Sequence, residues 1–191
     1  MPTYEEALAE VERLQQQQQE WIAKRAALEQ SLAELEGNAG QAALAGESTA
    51  KLADQMSRMQ SEIRIAAQAL VALEAQQQQA DVAVRLARIV ETRQQALERF
   101  QEAAALRAQV EPHLDAIEAI EGVRYYHHNP RSARLEQQAH RGLLHAEDLA
   151  FRLPADVRRQ LEVQRETAPT EVDRALFAFQ HPAAVAEEKP G

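Results

Sequence analysis

The side chains best suited to chemistry lie close together in one segment, residues 123–145. This segment holds four arginines against a single acid, two adjacent tyrosines and four of the six histidines in the chain. Guanidinium groups bind phosphates and carboxylates, and tyrosine rings stack on bases or pack on apolar side chains. The segment is therefore the first candidate for a binding surface. Its members are Arg124, Tyr125, Tyr126, His127, His128, Arg131, Arg134, His140, Arg141 and His145.

The sequence leaves three interpretations of this Arg/Tyr/His segment open. In the first, the tyrosines pack inside the protein while the arginines are solvated or pair with acids of the same chain, which is the usual fate of a charge run. In the second, an acidic protein partner binds the arginines. In the third, the arginines contact phosphate and a tyrosine stacks on a base, although the net charge of −9 disfavours extensive contact with nucleic acid.

Neither a metal site nor a catalytic site is predicted. His140 and His145 are five residues apart, whereas a spacing of four would place two ligands on one helical face. His127 and His128 are adjacent, and the chain has no cysteine and no HExxH pattern. The Walker A, GxGxxG and GxSxG motifs are also missing. We therefore expect a protein that is not an enzyme and that uses no cofactor.

The composition favours long, thinly packed helices over a thick globular core. Apolar residues make up 45% of the chain, but only 4% of residues are aromatic and alanine supplies much of the apolar share. No apolar run approaches the roughly 20 residues of a transmembrane helix, and the acidic N-terminal stretch lacks the pattern of a secretory signal. We expect no membrane contact and a cytoplasmic location, or a virion-associated one if a phage encodes the protein.

A heptad pattern predicts a first long helix over about residues 3–36. Thr3 is its candidate N-cap, and Leu8 and Ile22 lie beside the seam and widen it, which favours a bundle over a two-stranded zipper. The glycines at positions 37 and 40 predict the end of this helix. The seam positions, spaced alternately by three and four, are Tyr4, Ala7, Val11, Leu14, Gln18, Trp21, Arg25, Leu28, Leu32 and Leu35.

A second, longer helix is predicted over about residues 47–111, because no glycine or proline interrupts this stretch. The two helices fold back as an antiparallel hairpin around a turn near residue 42. This turn places Leu28 near Met59 and Leu14 near Leu73. The seam of the second helix comprises Leu52, Met56, Met59, Ile63, Ala66, Leu70, Leu73, Gln77, Ala80 and Val84.

Three polar residues interrupt these seams, namely Gln18, Arg25 and Gln77. A polar residue in an apolar seam can fix the register or the choice of partner. Alternatively, the Arg25 guanidinium reaches solvent along its aliphatic stem. The sequence supports both interpretations equally.

The seam of the second helix changes register near Val84, where the first helix runs out. The continued register would place Glu91, Gln94 and Glu98 in the core, whereas a shifted register is apolar. Such a slip indicates a change of partner. We therefore expect the overhang, the part of the second helix beyond Val84, to meet the C-terminal helices or another chain. The shifted seam comprises Leu86, Ile89, Ala96, Phe100, Ala103, Val110, Leu114 and Ile117, of which Leu86, Ile89 and Phe100 are candidate partner-binding residues.

A small helical module is predicted over residues 112–180, followed by a disordered tail over residues 181–191. Pro112 predicts a kink or the start of a new segment, and residues 123–128 are the one candidate extended piece. Further helices are predicted to open at Pro130, at Pro154 and at Thr167, where capping residues and prolines cluster.

These features together predict an all-α fold, in which a long antiparallel coiled-coil hairpin over residues 1–111 is joined to the helical module. The expected function is that of a structural or adaptor protein that assembles a larger complex, by self-association or by binding a protein partner. In architecture only, an acidic, cysteine-free rod with a more basic helical end resembles the scaffolding and tail-associated proteins of phages and viruses. The alternative is a nucleic-acid-associated regulator that contacts phosphate through residues 123–145.

Overall fold

Five α-helices make up the described part of the chain in this computed structural model. The structure describes residues 2–45, 48–122 and 130–180, and no strand occurs among them. The predicted all-α fold with a long helical hairpin is confirmed. The candidate extended piece at 123–128 and the predicted tail at 181–191 lie outside the described residues. The helices are α1 (Tyr4–Leu44), α2 (Ala50–Glu121), α3 (Pro130–Phe151), α4 (Ala155–Thr167) and α5 (Glu171–Gln180).

The chain forms two compact units that share helix α2. The hairpin unit, Pro2–Val84, contains α1 and the first half of α2. The C-terminal unit begins at Arg85 and contains the second half of α2 together with α3, α4 and α5. The boundary coincides with the predicted register change at Val84, whereas the predicted division of domains lay between residues 111 and 112. The boundary between the two units therefore lies within α2, where the seam changes.

The start of α1 is defined by a capping box. The Thr3 hydroxyl oxygen accepts a hydrogen bond from the Glu6 amide at 3.2 Å, and the Thr3 amide donates to Glu6 Oε2 at 2.8 Å. The hydrogen bond from the Thr3 amide, reinforced by the Thr3 side chain, lowers the pKa of the Glu6 carboxyl. The predicted N-cap at Thr3 is confirmed, and the capping box gives the Thr3 and Glu6 amides partners.

Helix α1 continues through the two glycines predicted to end it. Its last helical residue is Leu44 rather than Glu36, and neither glycine has the positive φ that a helix-ending turn requires. Leu35, Ala39 and Ala42 are half-buried and keep the spacing of four and three. The heptad contact with α2 therefore continues past the glycines, and it outweighs their low helix propensity.

Replacing both of these glycines with alanine is expected to stabilise the protein. No atom lies within 4 Å of a Cβ added at Gly37 or Gly40. Alanine is favoured over glycine inside a helix, so the double variant should gain roughly 1–2 kcal/mol of unfolding free energy. Thermal unfolding followed by circular dichroism measures this gain. Gly122→Ala is the opposite control, because φ is 66° at Gly122 and alanine is strained there. A destabilised double variant would indicate a chain reversal at residues 37–40.

The core of the hairpin unit is one thin seam between α1 and α2. Leu14 is fully buried in a cluster with Leu73 and Ala80, and Val11 and Trp21 pack against its edges. Both helices therefore contribute predicted seam positions to this cluster. All ten predicted seam positions of α2 are buried or half-buried, and so are nine of the ten on α1. Heptad spacing is thus sufficient to identify which residues face the partner helix.

Two polar seam residues of the hairpin unit bond to each other. Gln77 Nε2 donates to Gln18 Oε1 at 3.1 Å in a partly buried position. Arg25, in contrast, is the exposed exception on α1, and its Nε donates to Glu29 Oε1 at 2.7 Å. The two glutamines therefore fit the interpretation that polar seam residues fix the register of the helices. Arg25 fits the alternative, in which the guanidinium reaches solvent along its aliphatic stem.

The single change Gln18→Leu is expected to destabilise the hairpin unit, because it leaves the Gln77 amide without its partner. The expected loss is about 1–2 kcal/mol, the cost of an unsatisfied and partly buried amide. The double change Gln18→Leu with Gln77→Leu should recover most of this loss, since both polar groups are then replaced. Urea unfolding of the single and double variants measures the coupling. If the stability losses of the single variants Gln18→Leu and Gln77→Leu simply added in the double variant, the coupling between the two glutamines would be contradicted.

The far end of the hairpin shows which register α1 and α2 adopt. Leu35 and Met59 line one open groove, together with Asn38 and Gln55. The predicted turn near residue 42 places Leu28 beside Met59, seven residues earlier on α1. The observed connection lies between Leu44 and Ala50. The later turn moves α1 along α2 by one heptad. The same seam positions still face the partner helix, but each is level with a residue seven positions further along α2 than predicted.

Helix α2 runs through Pro112 and ends at Glu121, so of the two outcomes predicted at Pro112, a kink or a new segment, the new segment is not observed. Gly122, the first residue after the helix, has a φ of 66°, and its amide donates to the Glu118 carbonyl at 2.8 Å. This left-handed residue is the glycine C-cap expected after a helix.

The core of the C-terminal unit lies where three helices meet. Its buried residues are Ala96, Leu97 and Phe100 of α2, Ala139 and Leu143 of α3 and Leu176 of α5. The half of α2 predicted to need a new partner therefore finds one in α3 and α5. Close approach of α2 and α3 is possible because small residues line the contact, and a Cβ built on Gly142 would stand 3.7 Å from the Ala96 Cβ.

Helix α5 is capped by Thr170, whereas the prediction placed its opening at Thr167. The Thr170 hydroxyl oxygen accepts from the Asp173 amide at 3.2 Å, and the Thr170 amide donates to Asp173 Oδ2 at 3.0 Å. Thr167 instead belongs to α4, where its hydroxyl donates to the Val163 carbonyl at 2.7 Å. Thr170 rather than Thr167 is the N-cap because only Thr170 is followed three residues later by an acid, Asp173, that completes the capping box.

Candidate partner-binding surface

The predicted site residues do not all lie on one surface. Arg124, Tyr125, Tyr126, His127 and His128 lie outside the described residues. The remaining predictions fall in the C-terminal unit, some in its core and some on α3.

The overhang residues are core residues of this chain. Ile89 is 1% exposed and Phe100 is 5% exposed, and Leu86 is half-buried. The Phe100 ring stacks on Phe179 with 5.5 Å between centroids and meets the His140 ring edge-on at 5.0 Å. Phe100 is covered by α3 and α5, and Ile89 is buried within the chain, so the surface that another molecule could reach must be sought elsewhere.

Acids of the same unit pair with the arginines near the α2–α3 contact. Arg131 Nη2 lies 3.3 Å from Glu102 Oε1, and Arg107 pairs with Glu136. The pairs join α2 to the first turns of α3, because each has one member on each helix. Part of the basic charge predicted for binding is therefore used within the chain.

The outward side of α3 carries a different set of residues, which we term the α3 outer stripe. Its six exposed members are spaced alternately by three and four, so they line up along one side of the helix. Leu144 and Phe151 are large apolar side chains of this stripe; they are 71% and 73% exposed and lie seven residues apart on the same face. The members are Arg134, Gln137, Arg141, Leu144, Asp148 and Phe151.

The first half of the α3 outer stripe is positively charged, because it contains Arg134 and Arg141. No acid among the described residues pairs with Arg134 or Arg141. The one acid of the stripe, Asp148, is balanced by Arg152 at 2.8 Å. The Arg158 guanidinium lies 5.2 Å from the centre of the Phe151 ring, and His145 is exposed beside the stripe. The stripe thus offers two arginines and two apolar groups to another molecule.

The inward side of α3 explains how this stripe is held. Ala139, Leu143 and Ala146 are buried against the unit, and Leu135 and Leu149 are half-buried. These five residues form the apolar face of α3, and they orient the opposite side to solvent. Leu144 and Phe151 were not among the predicted site residues. The signal for them is that they are apolar although they lie off that face.

A second charged cluster holds α5 to α2. Arg93 pairs with Asp173, and both side chains are only 15% exposed. Burial raises the pKa of the Asp173 carboxyl, but the hydrogen bonds from Thr170 and the charge of Arg93 outweigh it, and the net pKa is lowered. Burial and the charge of Arg93 also lower the pKa of the nearby Arg165 guanidinium. Acids balance these cations, which indicates a structural cluster rather than an anion site.

The described residues give no sign of a metal centre. Within residues 2–45, 48–122 and 130–180, no three histidine or acidic side chains come together in a way that could hold an ion. His140 contacts the Phe100 ring instead, as described above. In the same part of the chain, no helix has an apolar stretch that is long enough to cross a membrane.

Comparison with known proteins adds no relative. No family model matches the chain, and no similarity to a curated protein or to a solved structure was found. The α3 outer stripe and the two-unit fold are therefore the features from which function can be argued.

Proposed function

We propose that this protein is a non-enzymatic structural or adaptor protein that assembles a larger complex. The observation that carries the proposal is the α3 outer stripe, with Leu144 and Phe151 exposed beside Arg134 and Arg141. Large apolar and aromatic groups next to arginine are typical of the energetic centre of protein interfaces. A helix that is already folded and oriented by its buried opposite face presents these groups without a cost for ordering its backbone.

A protein partner fits this surface better than nucleic acid does. Contact with phosphate needs basic groups in excess, whereas Arg131 is already paired with Glu102 and half of the stripe is apolar or acidic. The whole chain carries a net charge of −9, which would repel phosphate. A regulator that binds nucleic acid through residues 123–145 is therefore the second candidate, and the experiment below distinguishes it.

A narrower form of the proposal is an assembly protein of a phage or virus, of the scaffolding or tail-associated kind. Its support is the acidic, cysteine-free and helical architecture alone. The protein would then act in the cytoplasm or in the virion.

The proposal is tested by photo-crosslinking in the native host. A photoreactive amino acid replaces Leu144 in the full chain, and a matched control replaces Gln160, an exposed residue of α4. We expect a discrete protein adduct from position 144 that is absent from position 160 and is lost when Arg134 and Arg141 become glutamate. Identical adducts from both positions would overturn the proposal. An adduct that nuclease digestion removes would support the nucleic-acid alternative.

A further inference from the structure

The hairpin unit carries an exposed stripe that matches the α3 outer stripe in spacing. We term it the α1 outer stripe; like its counterpart, it has six exposed members spaced alternately by three and four. It lies next to the seam on α1, and its apolar members Leu8 and Ile22 are 37% and 52% exposed. The described residues of the chain leave it exposed. The members are Glu5, Leu8, Glu12, Gln15, Gln19 and Ile22.

The two stripes are opposite in charge at corresponding positions. The α3 outer stripe has arginines at its first and third members, and the α1 outer stripe has glutamates at its first and third members. The last member of each stripe is a large apolar residue, Phe151 on α3 and Ile22 on α1, seventeen positions after the first. Two helices that pack side by side in parallel bring such equally spaced residues to the same level.

We propose that the α3 outer stripe of one copy packs in parallel against the α1 outer stripe of a second copy. Arg134 then lies at the level of Glu5, Arg141 lies at the level of Glu12, and Phe151 packs against Ile22. The proposal rests on the proposed function and names one partner of the same surface, namely a second copy of this chain. Opposite charges at matched levels select this pairing and its direction, because an antiparallel arrangement would place Arg134 opposite Ile22 and Phe151 opposite Glu5.

This contact joins two different surfaces, so it does not close on itself as a symmetric dimer contact does. Each pair of copies leaves one free α1 outer stripe and one free α3 outer stripe, and association continues into rings or open chains. The stripes span about 26 Å, at 1.5 Å per residue, which is a small interface. The association is therefore weak, concentration-dependent and weakened by salt, because two ion pairs at the surface guide it.

Charge reversal in the full chain tests this pairing, with mass measured by sedimentation velocity at increasing concentration in low and high salt. Wild type is expected to grow beyond a dimer in low salt and to dissociate in high salt. The variants Arg134→Glu with Arg141→Glu, and Glu5→Lys with Glu12→Lys, are each expected to stay monomeric alone. An equal mixture of the two variants should associate again, which excludes misfolding as the cause of the loss.

A matched control changes two exposed arginines outside both stripes, Arg159→Glu with Arg174→Glu, and it should associate like wild type. A wild-type protein that stays monomeric in low salt would overturn the self-association, as would stripe variants that associate unchanged. If the monomer still forms the specific adduct from Leu144 with a host protein, the self-association alone fails. If neither contact is found, the proposed function fails with it.

Discussion

Phe100→Ala is expected to lower the unfolding free energy of the C-terminal unit by about 3–5 kcal/mol, the range for removing a buried aromatic ring. The ring is 5% exposed and is enclosed by α2, α3 and α5. It also stacks on Phe179 and meets His140 edge-on, and these ring contacts are lost with it. Phe100 is the largest side chain of the core cluster in which α2, α3 and α5 meet. Its removal should therefore loosen the contact of α5 with the rest of the unit first. Hydrogen exchange should then show faster exchange of the α5 amides.

Phe151→Ala is the matched control for this substitution. The Phe151 ring is 73% exposed and contacts the Arg158 guanidinium, so its removal should cost less than about 1 kcal/mol. Denaturant unfolding compares the two variants directly. If Phe100 served an external partner rather than the core, Phe100→Ala would be as mild as Phe151→Ala, and the described packing of α5 would be contradicted.

Asp173→Ala is expected to destabilise the C-terminal unit by about 3 kcal/mol, the low end of the range for breaking a buried ion pair. The substitution leaves the Arg93 guanidinium with only 15% exposure and without its carboxylate. It also removes the acid of the α5 capping box, whose oxygen accepts from the Thr170 amide. Denaturant unfolding at neutral pH measures the loss. A cost near zero would mean that Arg93 and α5 are not held by this residue.

The same residue predicts a dependence on pH. Since the folded state lowers the pKa of Asp173, the carboxylate contributes stability above its ordinary pKa of about 4, and this contribution is lost as the pH falls below that value. Asp173→Asn removes the titrating group while keeping an oxygen that can accept the Thr170 amide. The stability difference between wild type and Asp173→Asn should therefore shrink from pH 7 to pH 3. A constant difference would contradict the assignment.

The residues that face a partner helix could be predicted from heptad spacing, but the turn of the hairpin could not. A slip of seven residues returns every seam position to an equivalent one, so spacing alone permits several registers. The low helix propensity of the glycines at 37 and 40 favoured a turn at an earlier position than the observed one. Packing of Leu35 and Ala39 instead keeps these glycines in the helix. The bond between Gln18 and Gln77 distinguishes the observed register, and its geometry is visible only in the structure.

The sequence indicated the segment that carries the candidate surface, but it did not indicate which side of α3 is exposed. The excess of arginine between residues 123 and 145 pointed to α3, and Arg134 and Arg141 do lie exposed on it. Sequence spacing also indicated that Phe100 leaves the hairpin seam, but it did not show that α3 and α5 bury this ring. Which face of a helix is covered depends on tertiary packing of distant residues. Leu144 and Phe151 were missed for that reason.

The antiparallel hairpin and its register are tested most directly by one crosslinking measurement, which the absence of native cysteine makes simple. A disulfide requires Cα atoms within about 7 Å, whereas a shift of one heptad moves residues by about 10 Å along a helix. Leu35→Cys with Met59→Cys should form a disulfide rapidly, and Leu28→Cys with Met59→Cys should not. On a denaturing gel the first product should run as a monomer. Efficient crosslinking of the 28–59 pair, or crosslinks found only between chains, would contradict the hairpin described for residues 2–84.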